Sequence, residues 1–411
     1  NSPLSLATAS AATASSSSSS PNPSDLDKTD PTAATSSSGS PVSPQAHSSQ
    51  ASVKPRSLSI KLIERMLDLE MRHSRHPLYR KYAFSIVTPN RAGWTPMQIA
   101  EANQDVELMD LFHNYMPPES EIPDESEFLT IQLTSDIHLE CLAHDQPSGR
   151  KLARKLVGRS KAKYVALLGD IGIAVRPYYK DFLVRLSKKY TYVFVLFGNH
   201  EFYHSTTRQA LAVIESVSEE YPNVIWLRAG HPFEVEGVKI VGDTLWSNVL
   251  DDELEAVGSC LSDYRHIDIV EEGGVKRKLA VSDTVAWHKE QLAYIKEEIE
   301  KSRKKNQPVI VMTHHAPLIR LGVTNPGLWE SAEAEINSAF CTDLSGMFGS
   351  PVVAWLYGHT HWNHNMVVQD TLIAANQGGY IFGESPTLPT NYDPKFTVRV
   401  MKTLPQPHKW A

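Results

Sequence analysis

Cysteine is nearly missing from this sequence: Cys141, Cys260 and Cys341 are the only three in 411 residues. An odd, scattered set builds no disulfide framework, which favours a reducing compartment and leaves the three as small buried hydrophobes. No apolar run reaches the roughly 18 residues that a membrane-spanning helix needs. No basic region followed by an apolar stretch opens the chain, so no signal peptide is visible. An intracellular, cytoplasmic protein with no membrane partner is expected. A basic excess is lacking too. The net charge of −7 and a pI near 6.2 argue against a nucleic-acid-binding surface, although a metal site can still attract a free nucleotide locally. The chain begins at Asn1 rather than Met, which is compatible with a fragment whose upstream segment carries a signal.

Aromatic residues are absent from positions 1–57, which are rich in Ser, Ala, Thr and Pro. Such a segment cannot bury enough apolar surface to offset the entropy of ordering it, so 1–57 is expected to be a disordered tail. Ser20-Pro21, Ser40-Pro41 and Ser43-Pro44 within it are either phosphorylation sites or plain linker. Residues 58–118 read as a helical unit. Ile60, Ile63, Met66 and Leu67 recur at helical spacing, and Gly93 to Phe112 resembles one ankyrin repeat, near 93–115. A single repeat cannot bury its own faces. Either further repeats precede it or it packs on its neighbour, and in either case it could bind a protein partner. An acidic, Pro-containing linker follows over 119–127, and one large domain is expected over 128–405.

Within that domain strand and helix signals alternate. Leu129–Thr134, Tyr164–Leu168, Tyr192–Phe197, Val309–Thr313 and Val352–Tyr357 read as buried strands, and Pro177–Lys189, Thr206–Glu220 and Asp283–Lys304 as helices. A hairpin is expected over Phe233–Trp246, turning at Glu236-Gly237. This is the pattern of an α/β fold that presents ligands beyond the carboxyl ends of its strands.

Five short polar clusters punctuate this pattern, four of them capping apolar runs: Asp136-Ile-His138, Gly169-Asp170, Gly198-Asn-His-Glu201, His314-His315-Ala-Pro317 and Gly358-His-Thr-His361. Asp136 and His138, and likewise His359 and His361, stand two apart, the spacing at which extended residues point to one side. Asp170 carries two oxygens that can bridge two cations, and Asn199 offers a neutral carbonyl oxygen. The set suffices for two metal ions sharing a ligand, which points to metal-assisted hydrolysis.

In this order the clusters resemble the calcineurin-like metallophosphoesterase superfamily over about residues 129–380. Gly242-Asp-Thr-Leu-Trp246, Asp263-Tyr-Arg265, Thr313-His-His-Ala-Pro317 and Asn376-Gln-Gly-Gly-Tyr380 resemble one broad branch of it. The resemblance implies two mixed β-sheets packed as a sandwich and flanked by helices. It implies that Asp136, His138, Asp170 and His361 hold one metal, and Asp170, Asn199, His314 and His359 a second. Mixed N and O ligands suit Mn, Fe, Zn or Co without selecting among them. The ions would lie roughly 3.5–4 Å apart and clamp a small phosphoester, mono- or diester, for attack by a metal-bound hydroxide. His200 would then protonate the leaving group. Of the two adjacent histidines, His314 directly follows the apolar run and is the better match.

Two departures from the superfamily's protein phosphatases stand out. Where those carry an Asp three residues after the bridging Asp, followed by Arg-Gly, this chain has Ile173-Ala-Val175. Where they carry an Arg before Gly-Asn-His-Glu, it has Phe197. The carboxylate that orients the catalytic His and the phosphate-gripping arginines are missing there, which argues against a phosphoprotein substrate and leaves the partner of His200 open. Arg265, His204 and His364 are candidates for substrate contact. Arg265 could equally form a structural ion pair. Trp246 and Trp362 could stack on an aromatic substrate or simply pack the loops. The alternative to an enzyme is an interaction scaffold, non-catalytic or with secondary activity, that binds through the helical unit.

Overall fold

The computed structural model describes residues 105–115, 125–142, 151–319, 332–380 and 392–404, together with Ile63, Pro96 and Ala100. The expected disordered tail, the Ser-Pro sites and most of the ankyrin-like stretch lie outside the described residues. Helix α1, Val106–Tyr115, begins where the side chain of Asp105 accepts from the Leu108 amide at 3.1 Å, and it buries Leu111 and Phe112.

The residues from Phe128 onward are built on two main sheets. The first holds β1 (Phe128–Thr134), β2 (Tyr164–Leu168), β3 (Tyr192–Leu196), β5 (Val224–Trp226) and β14 (Thr397–Met401) in the order β14-β1-β2-β3-β5. The second holds β6 (Phe233–Val235), β7 (Val238–Asp243), β10 (Val309–Thr313), β11 (Val352–Tyr357), β12 (His364–Val368) and β13 (Thr371–Ala375) in the order β12-β13-β11-β10-β7-β6. Inner strands pair in parallel, while β14, β12 and β6 are antiparallel edges, so both sheets are mixed. A small third sheet joins β4 (Ser205–Thr206), β8 (Ile267–Val270) and β9 (Lys276–Lys278).

The near-continuous apolar runs of β2 and β3 are those of strands buried on both faces. Val165, Leu167, Val193 and Val195 turn outward to Tyr179, Phe182 and Leu186 of α2 (Pro177–Ser187) and to Leu211, Ile214 and Val217 of α3 (Thr207–Glu220). Ala166, Leu168, Phe194 and Leu196 turn inward to Ile240, Ile310, Met312 and Leu356 of the second sheet. On that sheet's other face Val311, Trp355 and Ile373 meet Ile295 and Ile299 of α6 (Val281–Lys305). The layers are therefore helix, sheet, sheet, helix.

Local signals set the element ends. Pro177 stands at the first turn of α2, and a capping box opens α3, with the Gln209 amide donating to Thr206 Oγ1 and the Thr206 amide to Gln209 Oε1. Glu236 and Gly237 turn the β6–β7 hairpin with φ of 51° and 84°, the left-handed pair that a two-residue loop requires. Two short helices, α4 (Leu254–Cys260) and α5 (Asp263–His266), lie between β7 and β8. All three cysteines are free, and Cys260 is exposed rather than buried. Among the described residues no helix is long and apolar enough to cross a membrane.

Candidate metal centre

The parallel strands end on one side, and their next residues are the polar clusters. Backbone bonds lock these loops together. The Asp136 and His138 amides donate to the Gly169 and Asp170 carbonyls, each at 3.0 Å, and the Gly358 amide to the His314 carbonyl at 2.9 Å. The reason Asp136 and His138 converge differs from the expected extended spacing. The strand ends at Thr134, and Asp136, His138, Asp170, His359 and His361 all have φ between 41° and 72°. Five non-glycine residues in left-handed backbone in one site is strain held by its surroundings. Gly358 is required by crowding: a Cβ there would lie 2.7 Å from Asp136 Oδ2 and 2.9 Å from the Leu168 carbonyl oxygen.

Two groups of donor atoms result. In the first, His138 Nε2 lies 3.0 Å from His361 Nε2, and His361 Nε2 lies 3.5 Å from Asp136 Oδ1. In the second, His314 Nε2 lies 3.0 Å from Asn199 Oδ1 and 3.1 Å from His359 Nδ1, which is itself 3.2 Å from Asn199 Oδ1. Asp170 stands between them, with Oδ2 3.9 Å from His138 Nε2 and Oδ1 3.5 Å from His314 Nε2. Ring nitrogens facing one another beside buried carboxylates are what shared cations would satisfy, so the donor set fits metal binding. Asp136, His138 and His361 form one candidate cluster, Asp170, His314 and His359 another, and His138, Asp170 and His200 a third between them.

The backbone fixes which ring atoms face inward. His314 Nδ1 is 2.8 Å from the Leu168 carbonyl oxygen, to which it donates, leaving Nε2 for a cation. The His359 amide donates to both Asp136 oxygens, at 2.9 and 3.0 Å, and the His361 amide to Gln377 Oε1 at 2.6 Å. Glu201 accepts from the Asp170, Ile171 and Gly198 amides, tying two loops together. Burial alone would raise the Asp170 carboxyl, but His314 and His200 outweigh it and hold it well below the usual carboxylate range; against burial, Asp170 in turn pushes His314 up to about 9, so a cation there would displace a proton. Burial, with His138 beside it, pushes His361 down to about 3, and burial with His315 pushes His359 well down, which favours the neutral form of both rings.

His200 sits at the edge of these groups. Its Nε2 lies 3.9 Å from Asp170 Oδ2 and 3.3 Å from the Tyr380 hydroxyl, and its amide donates to Asp170 Oδ1 at 2.8 Å. Tyr203 stacks on the ring at 4.2 Å and donates its hydroxyl to Asp263 at 3.1 Å. The missing partner of His200 is Glu140, whose Oε1 is 2.6 Å from Nδ1. Burial opposes the charge on His200, but Asp170 and then Glu140 outweigh it and push its pKa up to about 9. Glu140 and Tyr380 were both missed as site residues in the sequence, although Glu140 follows His138 by two positions and Tyr380 ends the Gly-Gly-Tyr motif.

The remaining candidates make other contacts. Arg265 is exposed and donates to the Ser259 and Cys260 carbonyls at 2.8 and 3.1 Å, so it caps the end of α4. His204 is exposed and rests edge-on against His266, 4.8 Å away. His364 lies on edge strand β12 with Nε2 buried and unpartnered. His315 is buried against Trp246 and His359, and Trp246 is itself packed core. Phe197, at the site of the absent arginine, belongs to the helix–sheet core against Phe202.

A double-sheet sandwich with His, Asp and Asn converging beyond its strand ends defines a metal-dependent hydrolase. The calcineurin-like phosphoesterase family model matches residues 129–363, more than half of the chain, and the chain belongs to that family. It is 32% identical over 263 residues to an uncharacterized protein of Acanthamoeba polyphaga mimivirus, covering 61% of this chain and 91% of that one. The phosphopantetheinyl hydrolase of Mycobacterium tuberculosis is similar in structure, with a TM-score of 0.46 and 16% identity over 61% of this chain and 89% of that one. So is a dimetal phosphatase from Danio rerio, with a TM-score of 0.38 and 13% identity over 67% of this chain and 99% of that one. These structural likenesses are too distant to carry a substrate or a metal across.

Proposed function

We propose that this chain hydrolyses a small phosphoester, mono- or diester, using two metal ions bridged by Asp170 and His200 as the acid for the leaving group. The observation that carries the reading is the position of Asp170, with one oxygen toward each donor group and His200 on its flank. Asp136, His138 and His361 would complete one ion's ligands, and Asn199, His314 and His359 the other's. When bound, such ions polarise the phosphoryl oxygens and lower the pKa of a water enough for it to attack phosphorus. His200 Nε2 points at the same region and would donate its proton to the departing oxygen.

The test is a panel of mono- and diesters run against several divalent metals, with His200→Ala beside the wild type. His200→Ala should keep its metals yet lose roughly 10²–10⁴ in rate, the usual range for general acid–base catalysis. The loss should shrink for esters whose leaving groups need no proton. An equal loss for all leaving groups would overturn the role of His200.

A further inference from the structure

We propose that Glu140 is the positioning residue that fixes both the leaving-group acid and one metal ligand, through a single carboxylate oxygen. This rests on the acid role given to His200. Oε1 of Glu140 lies 2.6 Å from His200 Nδ1 and 3.0 Å from His138 Nδ1, and the two rings meet edge to face at 4.4 Å. A ring nitrogen that donates to this oxygen carries the proton, so in each ring the other nitrogen faces the site. His138 Nε2 is thereby left as a lone pair beside His361, and His200 Nε2 is turned toward Asp170 and Tyr380.

The arrangement answers the departure in the sequence. Ile173, where a carboxylate would be expected to orient the acid, is buried and apolar. The charge comes instead from the loop after β1, four residues beyond Asp136. His138 at φ 41° opens the short 3-10 turn Leu139–Cys141 that carries Glu140 back over the site. The side chain of Glu140 is only 15% exposed and Oε2 has no hydrogen-bond partner, so the carboxylate has been buried for the contacts of Oε1 alone. Because one oxygen serves two histidines, metal affinity and acid catalysis should be coupled through Glu140.

The experiment compares Glu140→Ala, Glu140→Gln and His200→Ala with the double variant His200→Ala/Glu140→Ala, all in the full chain. Metal affinity is measured by competition with a chelating dye. Glu140→Ala should bind metal roughly 10–100-fold more weakly, as expected when the partner of a ligating histidine is lost. His200→Ala should leave that affinity unchanged. Rates are then measured at saturating metal on two aryl esters with leaving groups of high and low pKa. Glu140→Ala should lower kcat for the poor leaving group with little change in KM, and have less effect on the good one. In the double variant it should add nothing to His200→Ala. Glu140→Gln keeps the shape and an acceptor oxygen, so it should fall between wild type and Glu140→Ala. Unchanged metal affinity together with losses that add in the double variant would overturn the proposal. If His200→Ala alone loses rate equally for both leaving groups, the acid reading fails, and unchanged metal affinity in Glu140→Ala would still decide separately against its hold on His138.

Discussion

Replacing Asp170 by Asn should cost both metals, whereas replacing Asn199 by Ala should cost mainly one. Asn keeps the oxygen that accepts the His200 amide at 2.8 Å, so the loop can stay in place and the change is one of charge. The Asp170 oxygens lie 3.5 and 3.9 Å from the donor nitrogens of the two groups. Losing the carboxylate charge costs roughly 4 kcal/mol for each unit of cation charge about 4 Å away, at an effective dielectric constant of about 20. At about 1.4 kcal/mol per decade, each group should lose at least on the order of a thousandfold in metal affinity. Asn199 contributes only a neutral dipole, and only to the group of His314 and His359. Elemental analysis after dialysis against limiting metal reads the outcome, with circular dichroism to show that the variants fold. Asp170→Asn that retains a full metal complement under those conditions would refute the bridging role.

Three further outcomes follow from the fold. Lys239 and Glu298 form a 2.7 Å ion pair with both side chains under 10% exposed, so Lys239→Met should destabilise by about 3 kcal/mol, the low end for breaking such a pair because Lys301 still reaches Glu298. Chemical denaturation should show most of that loss recovered in Lys239→Met/Glu298→Leu. His288 is buried with Nδ1 donating to the Trp246 carbonyl, and burial pushes its pKa down. The unfolded chain therefore takes a proton near pH 6.5 that the native chain refuses, and stability present above that pH is lost below it at up to about 1.4 kcal/mol per pH unit. Melting curves from pH 7 to 5 should fall less steeply for His288→Gln. A chain starting at Glu125 should remain soluble and hydrolyse generic esters, since β1 starts at Phe128 and every proposed ligand lies at or beyond Asp136. Aggregation of that truncation beside a soluble chain starting at Val53 would show that the helical unit covers the catalytic domain.

The strands that carry the site were legible because burial on both faces demands unbroken apolar runs. Tyr164–Leu168, Val309–Thr313 and Val352–Tyr357 have the bounds their sequence suggests. The sheet of β4, β8 and β9 was not, since its strands are short and carry Ser, Thr, Lys and Arg. The donor residues and their order could be read, but not the backbone that aims them. Spacing of two suggested extended chain, whereas left-handed residues do the turning at Asp136, His138, His359 and His361. Glu140 was hidden for the same reason: nothing in a linear sequence shows that a turn after His138 folds it against His200. Arg265 could be read either way in the sequence, because a cation near a site suits a phosphate and a helix end equally well, and the carbonyls it meets at the end of α4 are visible only in the geometry. The pattern Asp263-Tyr-Arg265 thus supports the site from behind, Asp263 holding Tyr203 beneath His200.

The central claim is tested most directly by titrating metal back into chelated protein while following hydrolysis of an aryl phosphoester. The account predicts no hydrolysis without metal, a rise that saturates at about two equivalents, and loss of that rise in Asp170→Asn. Full activity in the chelated protein, or saturation at one equivalent, would contradict it.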